Sequence, residues 1–189
     1  MEALPPDLLC LQPLRRWIAW RVGEPRGNGK PGKHPIGADG HGTAWQTPAQ
    51  WMTHDEARTL VAAQGLAGVG LVLPLQLSAD EWLVAMDFDG VPIAATDDPR
   101  VQELIEVHAA LGCPYAEVSP SGAGVRMLLR ARTALPQTRR RRSPNGHFDE
   151  LFCGNVKWVT VTGRHWRGGG LPESTAALSS LLAEWQRGG

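Results

Sequence analysis

The run Glu81-Trp-Leu-Val-Ala-Met-Asp-Phe-Asp-Gly90 is apolar until it closes on two aspartates one residue apart. At the strand period of two, Asp87 and Asp89 emerge on one face with Leu83 and Ala85, while Trp82, Val84, Met86 and Phe88 fill the other. The pattern predicts a strand over 81–89 that packs on one face and carries acid at the end of the other. Further strands are predicted at 17–22, stopped by Gly23 and Pro25, and at 68–74, around Val-Gly-Leu-Val-Leu. The strands at 68–74 and 81–89 are expected to pair as a hairpin through 75–80. Residues 115–119 read as a short strand. Over 125–132 the alternation is clean, with Val125, Met127, Leu129 and Ala131 facing one way and Arg126, Leu128, Arg130 and Arg132 the other. A final hairpin is expected to join 148–152 to 157–162 through Gly154-Asn155. Its first arm puts Phe148, Glu150 and Phe152 on one face, and its second puts Trp158, Thr160 and Thr162 on one face, opposite Val159 and Val161.

Between the strands the period changes to that of a helix. Thr53-His-Asp-Glu56 has the form of a capping box, so a helix is predicted over 54–64, stopped by Gly65. Asp98-Pro99 supplies an N-cap and a proline at the first helical position, followed by Val101, Leu104, Ile105, His108 and Leu111 on one face as far as Gly112. His108 lies inside that apolar stripe and is read as a packed or boundary residue rather than a ligand. A C-terminal helix over about 173–187 is marked by Leu178, Leu181, Leu182 and Trp185. Mostly antiparallel strands with helices between them imply an α+β fold, a sheet with helices on one face and the other face open. The open face would collect Asp87, Asp89, Arg126, Glu150, Thr160 and Thr162. The chain reads as a single domain over 1–189, in which a small N-terminal lobe of about 1–75 precedes a main sheet of about 80–165.

At 189 residues and 42% hydrophobic, the chain is long enough to bury a substantial core. Basic and acidic residues number 19 each, so overall charge favours no class of partner, but its distribution is uneven. Residues 1–100 carry 8 basic against 12 acidic side chains, and residues 101–189 carry 11 against 7. Cys10, Cys113 and Cys153 are too few and too scattered for a disulfide framework or a zinc site. No run is apolar enough to span a membrane, and Met-Glu-Ala-Leu-Pro-Pro has neither the basic start nor the apolar core of a signal peptide. A cytoplasmic protein with no membrane partner is the expectation.

Taken alone, Asp-Phe-Asp-Gly describes a strand running into a turn as simply as it describes a site. Two carboxylates so close repel unless a cation lies between them, and hard oxygen donors suit Mg²⁺ or Mn²⁺. Downstream, Ser119-Pro-Ser-Gly-Ala-Gly124 is a turn able to cradle phosphate, followed by Arg126. Lys30 and Lys33 sit in a loop rich in Gly and Pro, within reach of a phosphate or merely solvated. Arg139, Arg140, Arg141 and Arg142 form a basic run beside Ser143-Pro-Asn-Gly146, expected as a solvated loop that contacts nucleic-acid phosphates. Three acids, an arginine and a Ser/Gly turn make a coherent site for nucleotidyl transfer.

At this point the chain resembles the catalytic domain of the bifunctional DNA primase-polymerases, in the archaeo-eukaryotic primase superfamily. The resemblance runs over about 17–165. It rests on Trp20-Arg21 before Gly29-Lys-Pro-Gly-Lys33, Gly68-Val-Gly-Leu-Val-Leu73, Met86-Asp-Phe-Asp89, Tyr115-Ala-Glu-Val-Ser-Pro-Ser-Gly-Ala-Gly124, Glu150-Leu-Phe152 and Val159-Thr-Val-Thr-Gly163 in that order. It implies an RRM-like sheet and a template-dependent DNA primase and DNA polymerase using Mg²⁺ or Mn²⁺, in the setting of plasmid or phage replication. It implies metal ligands at Asp87, Asp89 and Glu150, with the adjacent Asp149 as the alternative third acid. Nucleotide contacts fall to Ser119, Ser121, Gly122, Gly124 and Arg126, with Lys30, Lys33, Thr162 and Arg164. Single-stranded DNA would lie against Arg130, Arg132 and Arg139 to Arg142, stacking on Trp158 or Trp166. The remaining partners implied are dNTP or NTP and a helicase encoded elsewhere or in a longer chain. Arg126 stands where the family carries a nucleotide-contacting histidine. That departure keeps a second class open, a catalytically weak module binding nucleotide or nucleic acid, and the acids alone also fit a metal-dependent nuclease.

Overall fold

The computed structural model describes residues 4–25, 27, 31–132, 138–154 and 157–187. In chain order the elements are β1 (Trp17–Pro25), β2 (Pro31–Ile36), α1 (His54–Gln64), β3 (Gly68–Leu73), β4 (Trp82–Asp89), α2 (Pro99–Ala110) and β5 (Tyr115–Val118). They continue with β6 (Gly124–Ala131), β7 (Thr138–Arg142), β8 (Phe148–Phe152), β9 (Lys157–Val161), β10 (His165–Arg167) and α3 (Thr175–Arg187). The fold is α+β with two antiparallel sheets, one in each of two compact units. None of the described helices is long and apolar enough to cross a membrane.

The first unit takes residues 1–73 and 156–163. Its sheet has the order β2-β1-β3-β9. The expected capping box forms in full: Thr53 Oγ1 accepts from the Glu56 amide, and the Glu56 carboxylate accepts from the Thr53 amide. Gly65 ends the helix in the left-handed conformation, φ 62°. Helix α1 packs on β1 and β3 through Ala57 and Val61, and the His54 ring meets Trp17 edge-on at 4.8 Å. Lys33 lies in strand β2 rather than a loop, its ammonium 5.7 Å from the centre of the Trp20 ring. Gly70 leaves room for Trp158, since a Cβ there would come within 2.6 Å of the indole. Lys30 lies outside the described residues.

The second unit takes residues 74–155 and 164–189, with sheet order β10-β5-β6-β4-β8-β7. Met86, Phe88 and Met127 on one sheet face meet Leu104 of α2 and Leu178 and Trp185 of α3 in a single core. Asp98 caps α2 by accepting from the Arg100 amide, with Pro99 at its first position. His108 is packed as expected, 5% exposed and bonded through Nε2 to the Pro114 carbonyl.

Three expectations are corrected. Strand β3 does not pair with β4: its neighbours are β1 and β9, while β4 lies between β6 and β8 in the other sheet. Strand β8 does not form a hairpin with β9. It pairs with β7 across the turn at 143–146, so the arginine run is a strand rather than a loop. Third, the sheet face opposite the helices is not open along its length, because Leu83, Ala85, Tyr115 and Leu128 on it are fully buried. Among the described residues of that face, Asp87 and Glu150 at the acid end and Arg130 at the other end stay partly exposed.

Candidate functional site

Strand β4 is the centre of the site because it has a partner on each side. Its Asp87 lies opposite Arg126 of β6 and Glu150 of β8, and Asp89 lies opposite Gly124. Extending the register outward gives one row across all six strands: His165, Glu117, Arg126, Asp87, Glu150 and Arg140. Directly opposed residues in antiparallel strands bring their Cβ atoms to about 5 Å, so the row is a line of side chains in mutual contact range. Asp87 and Glu150 keep 24% and 27% of their side-chain surface exposed, enough for a ligand to reach them. Arg126 is only 3% exposed, and its Nη2 donates to Asp87 Oδ1 at 3.0 Å. Arg140 approaches Glu150 at 3.7 Å.

The Ser/Gly turn meets β4 at Asp89, two residues beyond this row. Gly124 sits so close to β4 that a Cβ would come within 2.8 Å of the Phe88 carbonyl oxygen, 3.1 Å of Ser119 Oγ and 3.6 Å of Asp89 Oδ1. A glycine is required there, and it brings the Ser119 hydroxyl beside the acid. The Ser119 and Ser121 hydroxyls are 3.1 Å apart, and Gly122 closes the turn at φ 79°, its amide donating to the Ser119 carbonyl. Arg164 braces the turn from outside, donating from Nη2 to the Ser119 carbonyl oxygen.

Asp149, the alternative third acid, points to the helix face and is fully buried. There Arg100 and Arg141 both bond it and both bond Glu103, closing a ring of two arginines and two acids. Burial alone would raise the Glu103 carboxyl, but hydrogen bonds and charge from Arg100 and Arg141 outweigh it and hold the group below the ordinary carboxylate value. Strand alternation leaves Glu150 on the other face, with Asp87.

Arg130 is tied to Glu81 at 2.8 Å and to the Leu171 carbonyl, and Arg132 lies 3.8 Å from Asp80. Trp166 is partly buried against the helix-side core and packs edge-on against buried His108, 6.0 Å between ring centres. Lys33, Trp158 and Thr162 belong to the first unit. Two residues of the site escape sequence reasoning. Glu117, buried in the row beside Arg126, is signalled only by its place two before Ser119. His147, whose ring lies against Gly90, has no signal beyond a turn glycine before it.

The donor set suits a hard divalent cation: three carboxylates share a face, two of them directly opposed and partly exposed. The side chains are nonetheless not gathered for one, since among the described residues no three His, Cys, Asp or Glu groups are placed to hold a metal ion, and Arg126 engages one Asp87 oxygen. No family model matches the chain, and no curated protein matches it.

Proposed function

We propose that the chain is a metal-dependent nucleotidyltransferase, a DNA primase-polymerase catalytic domain acting on single-stranded DNA with dNTP or NTP. The observation that carries this reading is that Asp87, Glu150 and Asp89 share one sheet face, with the Ser119–Gly124 turn at Asp89. A pair of acids beside a Ser/Gly turn suits a triphosphate better than a diester. Bound Mg²⁺ or Mn²⁺ would supply charge neutralisation and a lowered pKa at the attacking 3′-hydroxyl. Asp87, Asp89 and Glu150 would hold the cations. The Ser119 and Ser121 hydroxyls would donate to phosphate oxygens, and the fixed charge of Arg126 would offset negative charge building up on the transferring group. An arginine is too weak an acid to protonate departing pyrophosphate, so that proton comes from water or another group.

A second reading, a binding module without turnover, is favoured by the Arg126–Asp87 pair, which occupies a ligand oxygen with a cation of the protein's own. Incubating a labelled primer on a single-stranded template with Mn²⁺, with and without dNTPs, separates the possibilities. Elongation supports the first reading, a shifted but unchanged band the second, and shortening a nuclease. Asp87→Asn or Asp89→Asn should abolish elongation; Asp89→Asn should leave the thermal midpoint unchanged or raised, because it removes one of two repelling carboxylates, whereas Asp87→Asn should lower it, because it takes the counter-charge from buried Arg126. Near-normal elongation by either variant would contradict the assignment of the acids.

A further inference from the structure

The arginine run divides by strand alternation into two pairs with different surroundings. Arg141 turns inward, 24% exposed, to bond Asp149 and Glu103 and to lie over the Trp185 ring. Arg140 and Arg142 turn to the face of Glu150, where β8 places Phe148 directly opposite Arg142. The Arg140 guanidinium lies 3.2 Å from the Phe148 ring centre and that of Arg142 lies 5.1 Å from it. Two like charges thus share one aromatic ring on the last strand of the sheet, next in register to an acid of the candidate site.

A guanidinium held over an aromatic ring by charge–π attraction still offers N–H donors that can bond an anion. The ring fixes both arginines before any ligand arrives, which removes part of the ordering cost of binding. Like charges held together are relieved by a polyanion whose successive charges are spaced along a chain. The strand repeat puts Arg140 and Arg142 about 7 Å apart along β7. Guarding a sheet edge against self-association would need only scattered charge; an aromatic ring shared by two guanidiniums gives that role nothing.

We propose that Arg140, Phe148 and Arg142 form a docking surface for the phosphate backbone of single-stranded nucleic acid, leading the strand past Glu150. That this strand is template or primer rests on the nucleotidyl-transfer reading; the surface itself rests on its own geometry. Fluorescence anisotropy of labelled oligothymidine, in EDTA and without nucleotide, tests it across a salt series. The Arg140→Ala/Arg142→Ala variant should bind at least about tenfold more weakly at low salt, with a log-log salt slope shallower by about 1.4, or about 0.7 for each phosphate no longer neutralised. Arg139, expected from the sequence to contact the strand as well, lies opposite Leu151 on the other face of β7, so Arg139→Ala should stay within about twofold of the parent chain. Phe148→Leu should keep the slope and lose affinity, because both charges remain but are no longer ordered. Arg140 and Arg142 are exposed, and an unchanged melting temperature would confirm that the double variant is folded. The proposal is overturned if the parent chain does not bind oligothymidine, if the double variant keeps the parent slope, or if Arg139→Ala weakens binding as much. Binding that behaves as stated without any primer extension would retain the surface and remove the polymerase reading. Extension with undiminished template affinity in the double variant would do the reverse.

Discussion

Arg126 engages one oxygen of Asp87, so a divalent cation arriving at that carboxylate must share it with a guanidinium. Arg126→Ala should therefore raise the affinity for Mn²⁺, measured by electron paramagnetic resonance without nucleotide, by about tenfold, on the order of the repulsion between like charges a few ångströms apart at a partly exposed site. Glu117 is fully buried and opposite Arg126, so the Ala variant also removes its cross-strand cation and loses stability. Replacing both, Glu117→Gln with Arg126→Gln, separates the two effects. Equal Mn²⁺ affinity in the parent chain and the double variant would show that Arg126 does not compete for the site. The acids and the arginine are legible in the sequence because strand period alone fixes which face a residue takes. Their pairing is not, because the distance from β4 to β6 and β8 along the chain hides which residues become neighbours.

At the level of elements, β7 and β8 are held to α2 by the ring of Arg100, Asp149, Arg141 and Glu103. Asp149→Asn leaves Arg100 and Arg141 short of a buried counter-charge and should cost about 3–5 kcal/mol in urea unfolding. The folded Glu103 carboxyl titrates below its unfolded value of about 4.3, so its contribution is complete above that pH and is lost as pH falls through the lower folded value. Stability should thus decline below about pH 4.3, and Glu103→Gln should flatten that decline; an identical slope in the variant would place the acid sensitivity elsewhere. Helices α1 and α2 are legible to within a residue or two because their caps are local: Thr53 with Glu56, Asp98 with Pro99. The two expected hairpins fail because strands adjacent in sequence here pair with other partners. Residues 139–142 resemble a solvated loop because four like charges in a strand are tolerable only with partners, and Asp149, Glu103, Glu150 and Phe148 supply them from other elements.

For the whole molecule, the chain leaves the second unit at 156–163 to add β9 to the first, then returns. A fragment ending at residue 73 therefore lacks the strand that pairs with Val69 to Leu73 and exposes an apolar edge. It should aggregate or remain unfolded by circular dichroism, whereas a fragment carrying β9 on a linker should fold; a folded 1–73 fragment would contradict this dependence. Both the accessible acids and the exposed arginines Arg140 and Arg142 belong to the second unit, on one face of its sheet. The most direct test of that arrangement as a nucleotidyl-transfer site is the anomalous scattering of a crystal soaked with Mn²⁺ and a non-hydrolysable nucleoside triphosphate. The account predicts manganese within about 2.2 Å of carboxylate oxygens of Asp87, Asp89 and Glu150, with the triphosphate against Ser119 and Ser121. Manganese bound only elsewhere, with Asp87 still held by Arg126 and no phosphate at the turn, would contradict it.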